Sequence, residues 1–205
     1  KPIFGFYKID HFSDPNSVIK TYREYFLCKG IEMHFFCMIS NSGELSLLNY
    51  VDSAYLFDPI YFFNTKRNFR TKGSKNLEKF IKNTFGLKLL SSVKLIMDKL
   101  QKKGISHSYS DYLKHMRYVN QQTIPNLNKE LSWVINPGWN NYPRYSERYT
   151  ELELPNDDQW RQAIRESSQF ASKKPNLINA WNEWSEGAAI EPCYYEGNRF
   201  LDILK

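Results

Sequence analysis

Five short apolar runs, separated by stretches with helical spacing, constrain this fold more than any other feature of the chain. Ile3 to Tyr7, Ile31 to Ile39, Val51 to Phe57, Leu131 to Ile135 and Asn176 to Ala180 read as buried strands. Asp14-Pro15 opens a helix with Val18, Ile19, Tyr22, Tyr25 and Phe26 at helical spacing, and Gly30 ends it. Ser108 to Tyr118 reads as another helix, capped by Ser110, with Tyr109, Tyr112, Leu113 and Met116 on one face. Asn156-Asp157-Asp158 caps a helix from about Gln159 to Ala171, and a last helix starts near Asn198. Strands that alternate with helices argue for parallel βα units. A doubly wound nucleotide-binding sheet needs a glycine-rich turn after a strand; Gly5 stands alone, and the sequence holds no G-x-G-x-x-G. In a (β/α) barrel the chemistry gathers at the C-terminal ends of the strands. Trp139-Asn140-Asn141 follows the fourth run and Trp181 to Gly187 follows the fifth. The expected class is therefore α/β, of the (β/α)8 TIM-barrel type.

The length makes that barrel partial. The chain has 205 residues, against about 250 for a complete barrel. It opens at Lys1, directly on a strand, without a signal-peptide pattern. Residues 1–205 therefore read as the C-terminal portion of a single catalytic barrel domain. No stretch approaches the roughly 18 apolar residues of a membrane span. The three cysteines, Cys28, Cys37 and Cys193, are odd in number and form no C-x-x-C pair, which suits a reducing, cytoplasmic setting. His11, His34, His107 and His115 show no metal-ligand spacing, so neither a metal nor a cofactor is expected.

The net charge of +6 is uneven. Between Lys66 and Lys103, twelve basic residues face Glu78 and Asp98, a local +10 that leaves −4 for the rest. This reads as a basic helical insertion at about 64–104. It is either a solvated face or a surface for peripheral contact with an acidic membrane or a phosphorylated carrier. No recognition motif accompanies the charge, so nucleic acid is not an expected partner.

Glu183 and Glu186 are the residues best placed for chemistry. Three residues apart on a turn, their Cβ atoms lie about 5–6 Å from each other. Retaining sugar hydrolysis uses two carboxyl groups about 5–5.5 Å apart. Two carboxylates that close in a dry pocket push one proton affinity up, which yields one acid and one base. Trp181 and Trp184 flank the pair as walls and stacking surfaces, and Gly187 lets the backbone turn sharply. The same E-x-x-E spacing is common on solvated helices, but such helices have no reason to carry two Trp beside the glutamates.

The run Leu177-Ile178-Asn179-Ala180-Trp181-Asn182-Glu183-Trp184-Ser185-Glu186-Gly187-Ala188-Ala189-Ile190-Glu191-Pro192 resembles the closing motif of the WbsX-type glycosyltransferase family. That family is similar to the family 99 glycoside hydrolases, the endo-α-mannosidases. Trp139-Asn140-Asn141-Tyr142-Pro143-Arg144 resembles a second family motif, W-D-N-T-P-R. Lys1 to Tyr7 and Asp52 to Pro59 resemble two family strands. The resemblance implies a (β/α)8 barrel of which this chain covers strands four to eight, with the N-terminal part missing. It also implies an enzyme that makes or cleaves glycosidic bonds in surface polysaccharide metabolism, as in O-antigen or capsule. Its substrate would be a glycan or a glycosylated carrier.

In the mannosidase branch one Glu deprotonates the sugar 2-hydroxyl, which attacks the anomeric carbon to give a 1,2-anhydro sugar. The other Glu acts first as acid and then as base. Carried over, Glu183 takes the first role and Glu186 the second. Trp181, Asn182, Trp184, Trp139, Asn141, Arg144 and Glu191 become substrate-binding residues. Asn140, Tyr142 and Cys193 depart from the family's Asp, Thr and Asp. No D-x-D occurs, so a metal-bound nucleotide-sugar site lacks support. The competing expectation is a truncated, non-catalytic barrel fragment or carbohydrate-binding remnant, because an incomplete barrel exposes two strand edges.

Overall fold

The computed structural model describes residues 1–66, 104–127, 129–169 and 176–205. Most of the basic segment expected as an insertion lies outside the described residues. In chain order the elements are β1 (Ile3–Phe6), α1 (Pro15–Leu27), β2 (His34–Ile39), β3 (Ser53–Phe57), a helical segment α2 (residues 60–66) and β4 (Ile105–His107). Then come α3 (Tyr109–Tyr118), β5 (Glu130–Ile135), β6 (Trp139–Asn140), α4 (Tyr142–Tyr145) and β7 (Thr150–Leu152). The chain closes with α5 (Asp157–Ser168), β8 (Leu177–Ile178), β9 (Asn182–Glu183), β10 (Ala188–Ala189) and α6 (Arg199–Leu204).

The helices begin where their side chains satisfy free backbone N–H groups. Asp14 Oδ1 accepts the Ser17 N–H at 3.0 Å, and Pro15 takes the first helical position of α1. Asn156 and Gln159 exchange side-chain and backbone hydrogen bonds, both 2.9 Å, as a capping box for α5. The cap of α3 is Ser108, whose Oγ accepts the Asp111 N–H at 3.1 Å, not Ser110. Ser110 Oγ accepts instead from Gln159 Nε2 at 3.0 Å and ties α3 to α5.

The five runs read as strands form one parallel sheet, ordered β1-β2-β3-β5-β8 and curled as half of a barrel. Its parallel register sets Phe35, Leu56 and Trp133 on one face, where each is fully buried along with Cys37 and Ile39. Burying a large apolar side chain contributes about 1.5–3 kcal/mol, so this face dominates the core. The helices cover it. Arg23 of α1 lies over the Phe35 ring at 4.9 Å, and its guanidinium pairs with Asp52 at 3.2 Å. Beyond the C-terminal end of α3, Asn120 accepts the Trp133 indole N–H at 3.0 Å and donates to the Glu166 carbonyl of α5 at 2.9 Å. On the other face the Phe36 ring packs against Tyr55 at 5.1 Å and covers Gly5. A Cβ at Gly5 would lie 2.3 Å from that ring, so any larger residue there would displace the Phe36 ring. Among the described strands, β1 and β8 are each paired on one side only.

Two smaller sheets sit beside this frame. In one, β7 pairs in parallel with β4 and antiparallel with β6; in the other, β9 and β10 form a hairpin. They carry both tryptophan-containing motifs.

Asp58, fully buried just after β3, accepts the Tyr112 hydroxyl at 3.0 Å and the Phe62 N–H at 3.2 Å. Burial nevertheless pushes its carboxyl from 3.8 up to about 8. The folded chain thus keeps a proton that the unfolded chain releases. This contribution to stability is full below pH about 4 and is lost as pH rises through about 8. Asp58→Asn should remove that dependence. In urea unfolding, the stability of the variant relative to the wild type should rise between pH 4 and pH 8. Parallel pH profiles would contradict it.

Candidate active site

The chain leaves β8 through Asn179 and Ala180, which are joined by a cis peptide bond, and folds back on itself. Ala180 N–H bonds the Ala188 carbonyl at 2.9 Å, and Glu191 N–H bonds the Trp181 carbonyl at 2.8 Å. Between these ties, β9 and β10 pair Glu183 with Ala188 and Asn182 with Ala189. The connecting residues Trp184–Glu186 form one 3-10 turn, closed by Gly187 in the left-handed conformation at φ 62°. This turn sets Glu183 at its entry and Glu186 at its last position.

The two carboxylates have different surroundings. Glu186 is buried, at 7 % exposure, and pairs with Arg144 Nη1 at 2.8 Å. Glu183 is half-buried and accepts a short hydrogen bond from the Ser185 hydroxyl. Arg144 Nη2 reaches the same hydroxyl at 3.4 Å. Burial pushes the Glu186 carboxyl up, Arg144 pulls it down, and the negative charge of Glu183 pushes it up again. The balance is a carboxyl that holds its proton to higher pH than a free glutamic acid, as a general acid must.

The remaining expected site residues divide. Trp181 and Trp184 are each 51 % exposed, so their rings remain available. The Trp184 indole N–H donates to Glu191 Oε2 at 2.9 Å, which fixes the ring. Asn182 is exposed on the hairpin. Trp139 is half-buried against the hydrophobic core, and its indole N–H is buried without a partner among the described residues. Asn141 spends its side-chain oxygen on the Thr150 N–H at 2.7 Å. Asn140, where the family motif has Asp, accepts the Tyr142 N–H at 2.8 Å and donates to Glu151 at 2.9 Å. These two amides build the loop that delivers Arg144 to the glutamates. Tyr142 and Tyr145 are exposed on α4, on either side of Arg144 in sequence, and α4 packs against the Trp184–Glu186 turn. Their place was not readable from spacing; proximity to Arg144 in the second motif is the one signal. Among the described residues, no group of three or more His, Cys, Asp or Glu could hold a metal ion.

Residues 1–204 match the sequence profile of the family described as Glycosyltransferase WbsX. A 77-residue segment is 34% identical to an uncharacterized protein, WxcX, of Xanthomonas campestris pv. campestris strain B100; it covers 35% of this chain and 11% of that protein. The counterpart in strain ATCC 33913 matches equally. The matched part is thus a small fraction of those relatives' length. A solved glycoside hydrolase-like protein superposes with a TM-score of 0.55 at 16% identity, covering 100% of this chain and 53% of that one. The GH99 endo-alpha-mannosidase of Bacteroides thetaiotaomicron gives a TM-score of 0.33 at 14% identity, over 78% of this chain and 34% of that one.

The turn depends on Gly187. A Cβ there would meet nothing within 4 Å, so substitution acts through backbone conformation alone. Gly187→Ala should cost about 1–2 kcal/mol in urea unfolding, and no loss of stability would contradict the left-handed geometry.

Proposed function

The chain belongs to the WbsX glycosyltransferase family, and from that premise we propose that it makes or cleaves glycosidic bonds, with Glu186 as acid/base and Glu183 as base. The observation that carries this reading is the buried Glu186, raised in proton affinity, on the same turn as the half-buried Glu183.

The mechanism follows the resemblance to the mannosidases. Protonated Glu186 gives its proton to the glycosidic oxygen as the C1–O bond breaks. Glu183 takes the proton of the 2-hydroxyl, and O2 closes on C1 to form a 1,2-anhydro sugar. Water or an acceptor hydroxyl then loses its proton to ionised Glu186 and attacks C1. The C1–O2 bond opens, and Glu183 returns its proton to O2. The outcome is retention at C1, with hydrolysis or transfer decided by which nucleophile arrives. Exposed Trp181 and Trp184, with Tyr142 and Tyr145 beside Arg144, offer flat rings for apolar sugar faces. Asn182, Arg144 and Glu191 supply polar contacts at the same turn.

The proposed substrate is a glycan or glycosylated carrier of surface polysaccharide, handled in the cytoplasm. No described helix is long and apolar enough to cross a membrane. In this reading the sheet represents strands four to eight of a barrel, and preceding sequence supplies the others. A second reading is a carbohydrate-binding remnant without catalysis; among the described strands β1 and β8 are each paired on one side only.

In the full-length protein, Glu186→Gln should lose about 10²–10⁴-fold in rate on substrates with a poor leaving group. It should keep activity where the leaving group needs no proton. Glu183→Gln should lose activity on every substrate, because no leaving group replaces the base at the 2-hydroxyl. Rates across leaving groups of graded acidity separate the roles. If both variants turn over like wild type, the catalytic reading fails.

A further inference from the structure

Arg144 comes from a different part of the chain than the glutamates, yet it contacts their turn at two points. Nη1 pairs with Glu186 at 2.8 Å, and Nη2 reaches Ser185 Oγ at 3.4 Å. Ser185 in turn donates to Glu183. The first contact is a strong charge-assisted bond and the second is long for an N–H donor, so Glu186 is the main partner. The Arg144 side chain is 56 % exposed and that of Glu186 is 9 %. The cation is therefore the solvent-facing partner and the carboxylate the buried one.

The backbone that presents Arg144 is braced on all sides. Arg144 N–H bonds the Asn141 carbonyl at 3.0 Å. Asn141 is anchored through its side chain to Thr150, and Asn140 to Tyr142 and Glu151. A merely solvated arginine has no need of such support. The charges acting on Glu186 are Arg144 from the α4 turn and Glu183 from β9. Glu191 is held by the Trp184 indole, and Glu151 by Asn140.

We propose that Arg144 is a positioning residue for the glutamate pair, holding Glu186 directly and Glu183 through Ser185, and that it favours the ionised form of Glu186. This deepens the catalytic reading and rests on it. In the first step Glu186 must carry a proton, which weakens its hold on the guanidinium. In the second step it must be ionised to receive the proton of the incoming hydroxyl, and the ion pair with Arg144 re-forms. One side chain thus matches both states of an acid that becomes a base. The exposed part of the Arg144 side chain stays available for the substrate-binding role expected from the resemblance.

The test needs no substrate. In full-length protein labelled with ¹³C at the glutamate carboxyl carbons, the Glu186 signal is identified by its loss in Glu186→Gln and followed against pH. Arg144→Ala removes the attraction and leaves burial and Glu183, which both favour the proton. The Glu186 midpoint should therefore move to higher pH, and Arg144→Lys, which restores the charge, should bring it back toward wild type. If Arg144→Ala does not fold, Arg144→Gln keeps the stem and carries the same expectation. An unchanged midpoint in the neutral variant overturns the proposal, as does a midpoint in Arg144→Lys that stays with the neutral variant. The rate test of the glutamates is separate. A flat titration with inactive glutamine variants removes the positioning role alone. A shifted titration with active glutamine variants removes the catalytic reading.

Discussion

All strands of the central sheet run in the same direction, and everything else in the molecule is arranged around that constraint. Parallel strands need long crossovers, and among the described residues α1, α3 and α5 lie on the return paths between β1 and β2, β3 and β5, and β5 and β8, with a 3-10 segment (Ser42–Asn49) between β2 and β3. All C-terminal ends then open on one rim. Along it lie Lys8 paired with Ser40 and Glu44, Asp58 under Tyr112, Asn136 accepting from Tyr109, and the turn of Glu183 and Glu186. At the first three of these places the polar groups find hydrogen-bond partners within the fold, save Asn136 Nδ2, which has none among the described residues. At the last position the aromatic rings stay half-exposed and the carboxylates are unequal in burial.

The frame was legible because it is written in long local patterns. Five apolar runs became the five strands of the main sheet, and Asp14-Pro15 and Asn156 announced α1 and α5. The small strands were not legible: β6, β9 and β10 have two residues each, too few for any alternation to register. Ser108 and Ser110 are equally good caps by composition. Only the contact of α3 with α5 gives Ser110 another task. At the site, the Glu-x-x-Glu spacing and its flanking Trp residues pointed to the turn. The Arg144–Glu186 pair joins residues distant in sequence, and nothing local encodes it. Asn141, expected from the motif as a sugar ligand, also holds the loop through Thr150, a contact that nothing local in the sequence encodes.

The chain belongs to a family named for glycosyl transfer and shares its fold with a glycoside hydrolase-like protein. In the proposed retaining reaction, positive charge develops at C1 and one carboxyl serves first as acid and then as base. Arg144 and burial pull Glu186 in opposite directions, which is the balance such a residue requires.

The central claim is that Glu183 and Glu186 together face the positive charge that develops on the reacting sugar. Calorimetric binding of a panel of hydroxylated iminosugars, cationic mimics of that sugar, to the full-length protein tests it most directly. Binding to the wild type is expected for at least one member. Its affinity should fall at least about tenfold, or 1.4 kcal/mol, in both Glu183→Gln and Glu186→Gln. Equal affinity in the wild type and both variants would show that the two carboxylates do not act on the sugar.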